Sequence, residues 1–264
     1  MSKINQITGQ EVFKLHDELD SRFRDCECLE EAAQKFTDLL YEKFSGSIAL
    51  TRLFVTVPYG NLPLPNKAFV DKLAASAGIA SSIKEQTLIL SLVGTRGEKS
   101  TWNSRHDSEG HVGIPLASAA FVEEIPMVSR LLKEMGLGLE WLDSQDASIM
   151  GRKMGNSAGV FHVLDAKTDT DHRQRKIIAA QDFVEGYHIK TVFGIGGAYL
   201  YTNSNSFVVN INFTHDTIAK HQAERFLTLI NTFKTATVKF TSTSRIFVGQ
   251  PRQFSFSRRY QRVV

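Results

Sequence analysis

The sequence predicts an α+β protein: an antiparallel sheet covered by helices from both ends of the chain, with loops and short helices lidding its other face. Three observations predict it. Amphipathic helical stretches precede the first strand-like segment and follow the last. Three strand-like segments fall close together late in the chain, as antiparallel neighbours do. The segment from Gly94 to Gly155 begins in a long polar stretch without either periodicity, which suits a cover over the free sheet face. The chain has 264 residues, 42% of them hydrophobic and 22% charged, so it can bury a core and is neither disordered nor collagen-like.

The elements follow in order. Val12, Phe13, Leu15, Leu19 and Phe23 fall mostly three and four apart and so share one stripe of a helix over residues 10–23, and Leu29, Ala32, Ala33, Phe36, Leu39, Leu40 and Phe44 share one over 29–44, stopped by Ser45-Gly46. Residues 47–57 (SIALTRLFVTV) read as a strand, with Thr51, Leu53, Val55 and Val57 on one side and Ile48, Leu50, Arg52, Phe54 and Thr56 on the other; Pro58-Tyr59-Gly60-Asn61 ends it. A short helix is expected over 67–77 and a strand over 87–93. Helix returns over 121–135 and restarts at Pro126, because proline fits a first turn and breaks an interior. Residues 159–164, 189–200 and 207–213 read as strands, and Asp216 as the N-cap of a final helix over 217–234.

Charge is unevenly placed. From Arg225 to Val264 there are eight Lys or Arg and no Asp or Glu, while the rest of the chain is acidic by 5. Such a tail either neutralises the acidic body or meets an acidic partner, and Phe254, Phe256 and Tyr260 among Arg252, Arg258 and Arg259 would let it stack on single-stranded nucleic acid. Cys26 and Cys28 form a single C-x-C, too few ligands for a structural zinc site and consistent with reduced thiols. No apolar run is long enough to span a bilayer and no secretory signal opens the chain, so no membrane partner and a cytoplasmic location are expected.

Several motifs lack the context their chemistry needs. Gly155-Asn156-Ser157-Ala158-Gly159 matches the G-x-S-x-G elbow of serine hydrolases, with Asp165 and His188 as paper partners, yet a strand follows the serine where a helix is required. Gly94-Thr95-Arg96-Gly97-Glu98-Lys99-Ser100 is too short between its glycines for a phosphate loop and carries an opposing Glu98. Gly194-Ile195-Gly196-Gly197 has Tyr199 where a dinucleotide fingerprint has its third glycine. His106 and His111, flanking Asp107 and Glu109, have unspecific spacing for a metal. No catalytic residue and no metal ligand is assigned, and no cofactor is named.

The loop that holds these histidines is the richest in chemistry. Trp102, Asn103, Arg105, Ser108 and His111 bring together an aromatic ring, an amide, a guanidinium, a hydroxyl and an imidazole, a mixture that stacks on and hydrogen-bonds a small polar or anionic molecule. Together with Gly110 and Ile114-Pro115-Leu116, and with Gln181-Asp182-Phe183-Val184, Tyr187-His188-Ile189, Val192 to Gly197 and Phe207 to Ile211 further on, the chain resembles GAF-like sensor domains, of the subgroup found in bacterial signalling proteins ahead of histidine kinase modules. The resemblance runs from about Cys28 to Lys234.

It implies a pocket with Trp102, Asn103, Arg105 and His111 on the lid side and Tyr187 and Phe193 on the sheet side, a homodimer formed through the terminal helices, and a regulatory role without catalysis. No cysteine falls in the pocket-forming half, which argues against covalent bilin attachment and against the thiol chemistry of the GAF-like sulfoxide reductases. The expected division is a single domain over 1–236 and a basic extension over 237–264, with output passing to a separate signalling partner.

Overall fold

A computed structural model describes residues 3–108, 110–144, 158–199, 206–243 and 245–249. Strands β1 (Ile48–Pro58), β2 (Leu88–Gly97), β3 (Gly113–Pro115), β4 (Ala158–Val163), β5 (Thr191–Ala198) and β6 (Phe207–Thr214) form a sheet in the order β3-β2-β1-β6-β5-β4. Every neighbouring pair is antiparallel. The helices are α1 (Gly9–Phe23), α2 (Leu29–Phe44), α3 (Leu64–Ser76), α4 (Ala119–Glu123), α5 (Pro126–Glu134), α6 (Glu140–Ser144), α7 (Gln181–Gly186), α8 (Lys220–Glu224) and α9 (Leu227–Ser242). None among the described residues is long and apolar enough to cross a membrane.

Strand alternation sorts the core into two layers. Leu53, Val55 and Val57 of β1, Val208 of β6 and Phe193 and Ile195 of β5 are buried in one cluster with the apolar stripes of α1, α2 and α9. The stripes meet at Phe233, which packs edge-on against Phe23 at 5.6 Å and Phe36 at 5.4 Å. Gly94 of β2 permits the close seating of α2, since a Cβ there would lie 2.4 Å from the Ala33 carbonyl oxygen. On the opposite face Phe54, Leu90, Leu92, Val209, Ile211, Phe161 and Val163 are buried with residues of α4, α5, α6 and α7.

Helix ends follow their local chemistry. Thr8 and Glu11 make a reciprocal capping box at the start of α1. The N-cap of α2 is Cys28, whose side chain makes no capping bond; instead the carbonyls of Arg245 and Ile246 accept the Leu29 and Glu30 N–H groups at 3.0 and 2.8 Å. A C-terminal strap thus caps an N-terminal helix. Beside it Cys26 and Cys28 are both buried, and burial raises both thiols, Cys28 to about 11.

Several expectations are corrected. Phe13, placed on the buried stripe of α1, is exposed, and Ile48, placed on the side of Leu50 and Phe54, is buried in the helix-side cluster because the β1–β6 register shifts between Ile48 and Leu50. Asp216 does not cap the last helix: its carboxylate accepts from Ser47 Oγ at 2.6 Å, and no helix begins until Lys220. The reason is Ile218, which is fully buried, donates its N–H to Thr191 Oγ1 and accepts from His162 Nε2 through its carbonyl. The final helical region is split into α8 and α9, and α9 continues to Ser242, so the expected boundary at 236/237 falls inside a helix. The polar stretch after β2 contains the edge strand β3, and α7 stands where no helix was expected.

Candidate ligand-binding cavity

A cavity of about 390 Å³ lies between the sheet and its lid, within the size range of small-molecule sites. Its floor is Leu50, Arg52 and Phe54 of β1, Leu90 of β2 and Ile211 and Phe213 of β6, residues that alternation sets on the face away from α2 and α9. Ile125 with Pro126, Met127, Val128 and Leu131 of α5 supplies one wall, residues 177–180 with Phe183 of α7 another, and Trp102, Gly110 and His111 a third. Exposed residues at positions 110, 111, 179 and 180 mark the rim.

Trp102 is seated by its neighbours. A Cβ at Gly97 would lie 2.8 Å from the indole, so only glycine leaves room for it over the end of β2. The ring then packs on Tyr187 at 4.7 Å and Phe183 at 5.6 Å, and Phe183 on Phe213 at 5.2 Å. This aromatic cluster joins the post-β2 loop to α7 and β6. Asn103 secures the same loop, its Oδ1 accepting the Gly97 N–H at 3.1 Å.

The polar end of the cavity is formed by Arg52 and His111. Arg52 Nη2 donates to Ser108 Oγ at 3.0 Å, tying the floor to the loop. Burial pushes the guanidinium down to about 10, a cost that marks an unusual position for an arginine. The His111 imidazole is also lowered, by burial first and then by the nearby Arg52 charge, which favours its neutral form.

The expected site residues separate into groups. Trp102 and His111 line the cavity, and Tyr187 stands behind Trp102. Asn103 is engaged with the loop backbone. Arg105 turns away to the base of α2, with Nε 2.7 Å from Glu30 Oε1, Nη2 donating to Glu30 Oε2 at 2.8 Å and Nη1 to Asn66 Oδ1 at 3.1 Å. Its guanidinium also lies 4.9 Å from the centre of the Phe247 ring. Phe193 lies on the helix-covered face, 5.7 Å from Phe226, because it is one step out of phase with the lid-side residue Val192.

Sequence reasoning missed Arg52 as a cavity residue, although alternation had placed it between Leu50 and Phe54; one arginine on an apolar strand face was the available signal. It also missed Phe183 and the 177–180 segment, whose helix is a single short turn with no periodicity to detect.

The other motifs can be placed as well. His106 bonds Glu30 at 3.1 Å and is not gathered with His111, and no group of three potential metal ligands occurs among the described residues. Asp165 accepts from the backbone of Lys167 and Thr168 within its own turn. Ser157, Glu109 and the tail residues Arg252, Phe254, Phe256, Arg258, Arg259 and Tyr260 lie outside the described residues.

Comparison of the sequence with known protein families and with characterised proteins finds no match. Solved structures of similar shape are found. The free methionine-R-sulfoxide reductase of Neisseria meningitidis, solved with its substrate, is 10% identical, with 88% of this chain and 91% of that chain covered at a TM-score of 0.45. The GAF domain of a phosphoenolpyruvate-protein phosphotransferase from Coxiella burnetii is 10% identical, with 88% and 96% covered at 0.42. A phycocyanobilin-bound GAF domain from a cyanobacterial phytochrome is 8% identical, with 89% and 96% covered at 0.43. These are likenesses of overall shape.

Proposed function

We propose that the chain is a GAF-like regulatory module, non-catalytic, of the subgroup that accompanies bacterial histidine kinases, and that it binds a small molecule in the cavity beneath the Trp102 loop. The observation that carries this reading is the cavity itself, about 390 Å³ and walled by two segments, the post-β2 loop and α7, that meet at Trp102. A ligand shifts a protein only toward a state it binds better. Occupancy would bear on Trp102, and through the same loop on Arg105, which grips Glu30 at the start of α2 and lies against Phe247 of the C-terminal strap. That is a physical route from cavity to terminal helices, and from them to a signalling partner.

Exposed Phe13 on α1 and Val238 on α9 support a homodimer formed through this helical layer. Decan-1-ol, an uncharged apolar probe, tests the cavity. Saturable binding is expected, and Ala179→Trp at the exposed rim should weaken it about tenfold, a loss of about 1.4 kcal/mol. Calorimetry showing no saturable binding, or equal affinity for the Ala179→Trp chain, would refute the reading.

A further inference from the structure

Among the described residues, the depth of the cavity is apolar and closed from water. Leu90 and Ile211 of its floor and Val128, Leu131, Ile177 and Ile178 of its roof all line the space, and each is buried. Leu50 and Phe54 extend the floor, and Met127 adds a flexible thioether that adapts to a guest of irregular outline. The ionisable lining residues are gathered at one end, where Arg52 donates to Ser108 Oγ of the loop and His111 stands beside it at the rim.

These features weigh differently on each class of ligand. A nucleotide or a sugar would bring ring donors, hydroxyls or phosphate against Leu, Ile and Val, where nothing replaces the water they lose. A carboxylate or an ammonium at that depth meets the same walls, and a buried charge costs far more than a buried hydroxyl. At the rim end Arg52 is already bonded to the loop, and burial favours the neutral form of His111. A hydrocarbon body gains with each methylene that leaves water for these walls, while a neutral hydroxyl or carbonyl can stay at the rim.

We propose that the cavity selects an uncharged lipophile, an aliphatic chain or alicyclic body with at most one neutral polar group, and discriminates against acids and amines of the same size. This rests on the cavity being the ligand site, and the test separates the two claims.

The chain carrying Trp141→Phe keeps Trp102 as its sole tryptophan, so its emission reports filling of the cavity while calorimetry gives the affinity. Hexan-1-ol, octan-1-ol and decan-1-ol are titrated, then decanoate and decylamine at neutral pH. Affinity is expected to rise about fourfold with each methylene, and the heat capacity of binding to grow more negative along the alcohol series. Decanoate and decylamine should both bind at least about tenfold more weakly than decan-1-ol. Ile178→Gln, which puts an amide in the roof, should weaken decan-1-ol about tenfold, and Ile178→Met, apolar and close in volume, should leave it within about twofold.

Decanoate or decylamine matching decan-1-ol, or an affinity that does not rise with chain length, would overturn the uncharged apolar class and leave the cavity standing. So would equal losses in Ile178→Gln and Ile178→Met; where those variants do not fold, the ligand series on the Trp141→Phe chain decides alone. Absence of saturable binding by every probe, or binding that leaves the Trp102 emission unmoved, would overturn the cavity reading itself.

Discussion

Replacing Arg105 with leucine is expected to destabilise the protein by about 3–5 kcal/mol, the cost of leaving a buried charge without its partner. Arg105 and Glu30 are both more than nine-tenths buried, and the Glu30 carboxylate faces Arg105 through both oxygens. Among the described residues, His106 and the Val248 N–H are the other groups bonded to that carboxylate, and neither replaces a guanidinium. The double variant Glu30→Met with Arg105→Leu is expected to recover most of the loss, because well-packed apolar side chains substitute for a buried ion pair at little cost. Urea denaturation of the three chains checks this, and a double variant as unstable as the single one would contradict it.

The same pair gives a pH signature. Burial pushes the Glu30 carboxyl up, but the hydrogen bonds and charge of Arg105, the Val248 N–H and His106 outweigh it and hold the group below its ordinary value of 4.5. A carboxyl lowered in the folded state contributes stability above its unfolded value, and the contribution is lost as pH falls through the folded one. In Arg105→Leu burial is opposed far less, the carboxyl is raised, and protonation relieves the strain. The gap between the unaltered chain and Arg105→Leu should therefore narrow as pH is lowered below the ordinary carboxylate range; a gap that widens in acid would show that Glu30 is not the group left exposed to the loss.

The second large effect is expected at Phe233. Truncation to alanine should cost about 3–5 kcal/mol, since the ring is fully buried and its removal leaves a cavity between three helices. Phe23 of α1 and Phe36 of α2 lose their edge-on partner together. Phe233→Leu retains most of the volume and should cost less than half as much. Equal losses for the two variants, measured by thermal unfolding, would mean that ring geometry rather than filled volume decides the site.

Sequence pattern revealed the scaffold because its signals are periodic. The stripe from Leu29 to Phe44 and the alternation from Ile48 to Val57 repeat long enough to fix both the element and the buried face. Short pieces escaped. β3 is a three-residue edge strand and α7 a six-residue helix, too brief for any period to declare itself. The cavity was harder to read than the fold for a related reason: composition marked the post-β2 loop as chemically rich but not the direction each side chain takes. Trp102 and His111 turn inward, whereas Arg105, the most strongly polar member, turns to Glu30 and becomes an anchor. Phe193 went astray by one step of the strand.

The two thiols beside the C-terminal strap supply an intrinsic clock. With Cys28 raised to about 11 and both sulfurs enclosed, almost no thiolate is available to an alkylating reagent while the chain is closed. Modification must wait for the strap and the α1–α2 corner to part, so the labelling rate measures how often that corner opens. Followed with the cavity empty and then filled, it would register at the helical layer whatever a guest does on the far side of the sheet, with no foreign probe introduced.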